Sequence, residues 1–225
     1  MRSYDAAARW YDGLAKLYSL SAISRAKALQ TNWLQGGQRM LAVGVGSGEE
    51  VPALLERGLV LTCLEPAEGM RRRLRARVGE SAHQEFSLCS ESLLEHHTEK
   101  TYDVISANFF LNLYDGPELE KAVRQLRHLL RPGGCLLVAD FAPYRGHGLN
   151  SWLRRLYYRL PQVFFSALGL AQWHPLFDYR QLFDAWGFRL EEEVFVPVVK
   201  GVPVGFVSLC FRAVPENARQ GDGPR

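Results

Sequence analysis

Three glycines at alternate positions, Gly44, Gly46 and Gly48, close the apolar run that begins at Met40, and an acid, Glu65, ends the next apolar run. Glycine lets the backbone bend tightly and lets a ligand lie against it, and the helix that follows such a loop offers unpaired N–H groups. An acid about 20 residues beyond the loop, at the carboxyl end of a parallel strand, can accept both hydroxyls of a ribose. These residue types in this order therefore point to a nucleotide-type site. A dinucleotide fingerprint would carry its third glycine one place later, where Glu49 stands, so NAD and FAD are disfavoured. No Lys-Ser or Lys-Thr follows the glycines, which excludes a P-loop.

Proton-moving groups are less sharply marked. Tyr144 and His147 follow the fifth apolar run and are the candidate catalytic residues, with Tyr4, Tyr11 and Asn112 also within reach of a site mouth and weaker claims for His174 and Tyr179. Asp140 lacks the neighbouring carboxylate and amide of a metal-assisted site. Cys63, Cys89, Cys135 and Cys210 lie in or beside strand-like runs, with no Cys-x-x-Cys and no zinc-type histidine spacing. They are read as buried reduced thiols, and no metal is expected.

Positioning these groups requires alternating strands and helices. Residues from Tyr4 to about Leu34 carry Trp10, Leu14, Leu17, Tyr18 and Ile23 at helical spacing, and Gly36-Gly37 ends that helix. Strands are expected over Met40 to Val45, Leu59 to Glu65, Phe86 to Ser90, Tyr102 to Asn108 and Cys135 to Asp140. Helices are expected over Glu49 to Glu56, Met70 to Val78 and Pro117 to Leu130, with Arg131-Pro-Gly-Gly134 as a turn before the fifth strand. Such alternation implies a doubly wound, mostly parallel α/β sheet. After Phe141 comes an aromatic insertion from Tyr144 to Trp173, then a helix over Tyr179 to Trp186. Val194 to Val199 and Gly205 to Arg212 follow as an antiparallel edge pair turning at Lys200-Gly201, and the polar stretch Glu216 to Arg225 reads as disordered.

The motifs Val43-Gly-Val-Gly-Ser-Gly48, Glu65-Pro-Ala-Glu-Gly-Met70, Tyr102-Asp-Val-Ile-Ser-Ala-Asn108 and Leu129-Leu-Arg-Pro-Gly-Gly-Cys-Leu-Leu-Val138 together resemble the class I S-adenosylmethionine-dependent methyltransferases. Tyr4-Asp5 and Tyr11-Asp12 are similar to the N-terminal helix that folds over the cofactor in ubiquinone-type and phosphatidylethanolamine-type members. The resemblance implies a Rossmann-like sheet of seven strands with an antiparallel C-terminal edge hairpin, and S-adenosyl-L-methionine as cofactor. Gly44, Gly46 and Gly48 would pack on its amino-acid part, Glu65 would hold the ribose, and Met70 would lie on the adenine. Cys89 and Ser90 would sit at the adenine edge, Asn108 and Phe109 would line the sulfonium side, and Tyr11, Tyr18, Val43 and Pro66 complete the cofactor set. Two positions depart from the family: Ala42 replaces an acid before the glycines, and Cys89 replaces an adenine-binding carboxylate. The organisation implied is a helical lid over 1–36, a cofactor core over 37–141, an acceptor-pocket insertion over 142–190, an edge hairpin over 191–213 and a tail over 214–225, all one domain.

Composition agrees with that reading. With 225 residues, 47% of them hydrophobic, the chain can bury one substantial core. A net charge of +3 is too small to argue for nucleic acid. No signal-peptide core or spanning run is present, so a cytoplasmic protein is expected. The expected partner is a small apolar or aromatic molecule that receives a methyl group on O or N. Arg154, Arg155 and Arg159 beside an apolar stretch also fit peripheral contact with a membrane, and hence a quinone or phospholipid acceptor. Ala42 and Cys89 leave open a binding protein that keeps the fold without catalysis, and transfer of another carbon group from the cofactor is a further alternative. The oligomeric state is open.

Overall fold

The computed structural model describes residues 18–79, 85–114, 116–143, 152, 155–159 and 178–215. At its centre β1 (Arg39–Val43) buries every residue after Arg39, as a strand covered on both faces must. It pairs in parallel with β2 (Val60–Leu64) and β4 (Tyr102–Ser106). Outside these lie β3 (Phe86–Cys89) and β5 (Leu130–Phe141), also parallel. The sheet is completed by β6 (Phe188–Pro197) and β7 (Gly205–Ala213), giving the seven-stranded order β3-β2-β1-β4-β5-β7-β6. Because β7 is antiparallel to both β5 and β6, it alone runs backwards. The architecture is the Rossmann-like α/β sheet with an antiparallel C-terminal edge that the sequence implied.

Two layers cover the sheet. On one face α4 (Gly116–Leu129) buries Leu119, Val123, Leu126 and Leu129, the stripe its spacing predicts, and packs with α5 (Tyr179–Ala185) over Leu41, Ile105, Leu136 and Phe211. On the other, α2 (Val51–Glu56) and α3 (Glu68–Val78) cover Met40, Leu61, Val104 and Leu137 through Leu54 and Leu74. A third apolar cluster, with Ala22, Ala26, Ala139, Val196 and Phe206, seats α1 (Ala22–Leu29) against β5, β6 and β7.

Several boundaries differ from the expected ones. The N-terminal helix does not run unbroken to Leu34: Leu20 and Ser21 take positive φ (47° and 63°) before α1, and Gln30–Trp33 is a 3-10 turn. Apolar spacing continues across that break, and no glycine marks it. β1 stops at Val43 because Gly44 turns with φ 59°, and α2 begins at Val51 rather than Glu49. The Arg-Pro-Gly-Gly turn is a bulge inside β5, since Tyr102 pairs with Leu130 but Val104 with Cys135. A Cβ on Gly134 would lie 3.0 Å from the Asp103 carbonyl oxygen, so the bulge requires a residue with none. β6 starts six residues earlier than expected, at Phe188 rather than Val194, and carries its own bulge between Leu190 and Glu192. Tyr4, Tyr11, most of the insertion and the tail from Glu216 lie outside the described residues.

Candidate active site

Strand order reverses between β1 and β4, so the crevice beyond their carboxyl ends is where an open α/β sheet takes its ligand. Three loops from neighbouring strands meet there through main-chain bonds. Gly44 N–H donates to the Leu64 carbonyl (2.9 Å), Glu65 N–H to that of Cys89 (3.1 Å), and Phe109 N–H to that of Ala139 (2.8 Å). The glycine loop, the Glu65 turn, the end of β3 and the segment after β4 are thus held in register with the sheet.

The three glycines have different reasons to be glycine. A Cβ on Gly44 would stand 2.3 Å from Phe110, and one on Gly48 2.2 Å from Leu74, so both are forced by packing beneath the loop. Among the described residues, a Cβ on Gly46 would meet nothing within 4 Å, although its φ of 60° still favours glycine. Gly46 therefore borders open space. Its N–H donates to Glu65 Oε2 (2.8 Å), while Ala67 N–H donates to Oε1 (2.9 Å). Arg71 locks the turn from behind by donating to the Glu65 and Pro66 carbonyls, both at 2.7 Å. Each carboxylate oxygen has one main-chain donor and retains acceptor capacity for a ligand hydroxyl. Burial pushes the Glu65 carboxyl above the usual range, opposed by the Ala67 and Gly46 N–H groups and by Arg71.

The remaining expected residues are spread around this centre. Val43 and Met70 are buried, Pro66 and Ser90 lie at its exposed rim, and Cys89 ends β3 half-buried with its thiol raised by burial and by Glu91. Asn108 is buried in an amide pair: its Oδ1 accepts from Gln30 (2.8 Å) and from Ala139 N–H (2.8 Å), and its Nδ2 donates to Gln30 Oε1 (2.9 Å). Phe109, at φ 52°, meets Phe141 and Phe206 edge-on. Tyr18 stacks on Tyr157 at 4.3 Å, and each hydroxyl donates to the other residue's carbonyl oxygen. Ala42 is packed among apolar core residues on the α2 side, including Cys63, Leu61 and Val104. Tyr11, Tyr144 and His147 lie outside the described residues.

Two groups add to what sequence picked out. Gln30, on the turn after α1, reaches Asn108 across 78 residues of chain, and Lys27 pairs with Glu50 (3.2 Å), so α1 is fastened to both sides of the crevice. Only the absence of an apolar residue at Gln30 within a helical stripe could have flagged it. Asp140, at the end of β5, accepts from the Tyr179 hydroxyl (2.5 Å), from Asn112 (3.0 Å) and from Phe141 N–H (2.7 Å). Asn112 and Tyr179, separate weak candidates in the sequence, meet at the buried Asp140, with Tyr179 buried and Asn112 half-buried. Burial, then the Asp140 charge and hydrogen bond, hold the Tyr179 phenol protonated well above its ordinary range.

The same architecture occurs in solved structures at low identity, which speaks to fold. The 1,6-didemethyltoxoflavin-N1-methyltransferase of Burkholderia thailandensis, solved with 1,6-didemethyltoxoflavin and S-adenosylhomocysteine, superposes with TM-score 0.67 at 17% identity, covering 95% of this chain and 87% of that one. The N-methyltransferase NodS of Bradyrhizobium japonicum WM9, in complex with S-adenosyl-l-homocysteine, gives 0.64 at 15% identity over 87% of each chain. In sequence, an uncharacterized methyltransferase of Geobacillus thermodenitrificans (strain NG80-2) is 27% identical over 140 residues, spanning 62% of this chain and 62% of its own length. Residues 15–193 match the family model described as a methyltransferase domain, and the chain belongs to that family.

Proposed function

We propose that the protein transfers a methyl group from S-adenosylmethionine to an O or N atom of a small apolar or aromatic acceptor. The observation that carries this reading is the Glu65 carboxylate held by Gly46 and Ala67 N–H beside a glycine that faces open space. That arrangement suits a ribose with two neighbouring hydroxyls, and the early third glycine fits a ligand without a pyrophosphate. The loop of Gly44, Gly46 and Gly48 would take the amino-acid end, with Gly46 facing it and Gly44 and Gly48 packed beneath, while Met70, Cys89 and Ser90 would take the adenine and Asn108 and Phe109 the sulfonium. Tyr11, Tyr18, Val43 and Pro66 would complete the pocket.

When bound, the cofactor supplies a sulfonium whose methyl group is open to in-line displacement. The chain's part is to hold the acceptor at attack distance and keep water out. Phe109, Phe141 and Tyr157 offer aromatic surface near the crevice for such a molecule, with 142–190 as the pocket wall. Tyr144 and His147 are the proposed proton acceptors where the acceptor must lose a proton. Isothermal titration tests the reading: S-adenosylmethionine and S-adenosylhomocysteine should each bind once per chain, and failure of both to bind sinks it. A product heavier than its acceptor by one methyl identifies the transfer, whereas another increment points to a different group.

A membrane-surface version finds support in Trp152 and Leu156, 57% and 51% exposed, in the same stretch as Arg155 and Arg159. Sedimentation with anionic vesicles separates the versions, since a protein that stays in the supernatant acts on a dissolved acceptor.

A further inference from the structure

Cys135 and Cys210 occupy adjacent antiparallel strands two register steps apart, with Cys135 opposite Arg212 and Leu137 opposite Cys210. Both are buried on the α2 side of the sheet. The bulge in β6 adds Glu191, and the two sulfurs and a carboxylate oxygen all lie within 4.8 Å of one another. This cluster is at the far end of the sheet from the crevice, because Cys135 is level with Val104 and Met40 near the start of β1. Nothing in methyl transfer uses it.

We propose that Cys135, Cys210 and Glu191 form a binding site for a thiophilic divalent cation of the zinc class. Two sulfurs and a carboxylate oxygen are a donor set that such an ion accepts. Tetrahedral coordination at about 2.3 Å per sulfur sets the sulfurs about 3.8 Å apart, so the cluster needs to contract by no more than about 1 Å. Glu191 is already fixed in place, because Arg212 donates to its Oε2 from Nε (3.0 Å) and Nη2 (2.6 Å). Such an outer hydrogen bond orients a ligating group. Arg189 also approaches Glu191, 3.6 Å from Oε1, but it is 72% exposed and solvent can take its place.

Charge also balances. Binding releases both thiol protons to solvent, and the resulting two thiolates and carboxylate are neutralised together by a divalent ion and the Arg212 guanidinium. A disulfide fits the same pair less well. Diagonal neighbours on antiparallel strands have Cα atoms ~7–8 Å apart, beyond the ~4.4–6.8 Å that a disulfide spans. Ligands from β5, β6 and β7 would make the ion a clamp across the antiparallel edge.

The test uses the full chain, reduced, stripped of metal with a chelator and titrated anaerobically with Cd²⁺ and then Zn²⁺. One Cd²⁺ per chain should raise a thiolate-to-metal charge-transfer band, and Zn²⁺ should displace it. C135S and C210S should each weaken binding by more than about 100-fold, E191Q by about 10–100-fold, and C89S should leave it unchanged. Should a variant fail to fold, alkylation rates of the unmodified protein in urea just below its unfolding transition decide the matter instead, since Cys135 and Cys210 are buried and react only on opening, and Zn²⁺ should slow their labelling while leaving that of Cys89 unchanged. Absence of the band, binding that survives C135S and C210S, or protection confined to Cys89 overturns the proposal.

Discussion

At the scale of single residues, Glu65 and Gly46 set measurable expectations. A ribose hydroxyl needs the ionised carboxylate as acceptor, so Glu65→Gln should weaken cofactor binding by about 1.5–3 kcal/mol in a calorimetric titration. Burial raises the Glu65 pKa from 4.5, which gives affinity and stability opposite pH slopes. Affinity should be full above the raised pKa and fall about tenfold per unit below it, beginning at higher pH than for an ordinary carboxylate. The folded state holds its proton to higher pH than the unfolded one. Glu65's contribution to stability is therefore greatest below the unfolded value and declines as pH rises through the folded pKa. The glycines divide in a similar way. Gly44→Ala drives a Cβ into Phe110 and should cost about 2–4 kcal/mol in urea unfolding, whereas Gly46→Ala meets no neighbour and should cost about 1–2 kcal/mol for its positive φ while weakening cofactor binding more strongly. The sequence made Gly44, Gly46, Gly48 and Glu65 legible because local spacing carries their chemistry. It could not tell a glycine that packing demands from one that borders the ligand, since Phe110 and Leu74 reach the loop only through the fold.

At the scale of elements, α1 is joined to the crevice by the Gln30–Asn108 pair. Asn108→Ala strands the buried Ala139 N–H and the Gln30 amide together, and should destabilise by about 2–3 kcal/mol. In a double-mutant cycle with Gln30→Ala the two changes should couple by about 0.5–3 kcal/mol. Additive losses would mean that the amide pair does not fasten α1 to the crevice. Such pairs escape sequence reading because Gln30 and Asn108 are far apart in the chain and each is an ordinary polar residue on its own element. The break at Leu20 and Ser21 escaped for the opposite reason: the apolar spacing on either side is good enough to suggest one helix. The bulge in β5 was half legible, since Pro132, Gly133 and Gly134 announced an irregular backbone but not that pairing resumes on the same strand.

Across the whole molecule, the alternation of apolar runs and helical stripes was enough to read the parallel sheet and its reversed edge, because each strand's burial follows from its own composition. The metal cluster was not readable, since the register that brings Cys135, Glu191 and Cys210 together is set by two strands and a bulge. The strand order also predicts how the chain tolerates shortening. β6 is one edge of the sheet and, among the described residues, pairs with β7 alone. A chain ending at Val204 should therefore lose a single cooperative urea transition, while one ending at Pro215 should keep it. That same order bears on synthesis. β7 follows β6 in the chain yet must slide between it and β5, so during synthesis β6 stays unpaired and the flank of β5 bare until β7 has emerged. Emergence of β7, rather than completion of the glycine loop, is then the event that seals the sheet, and a chaperone guarding these strands would have to stay until that moment.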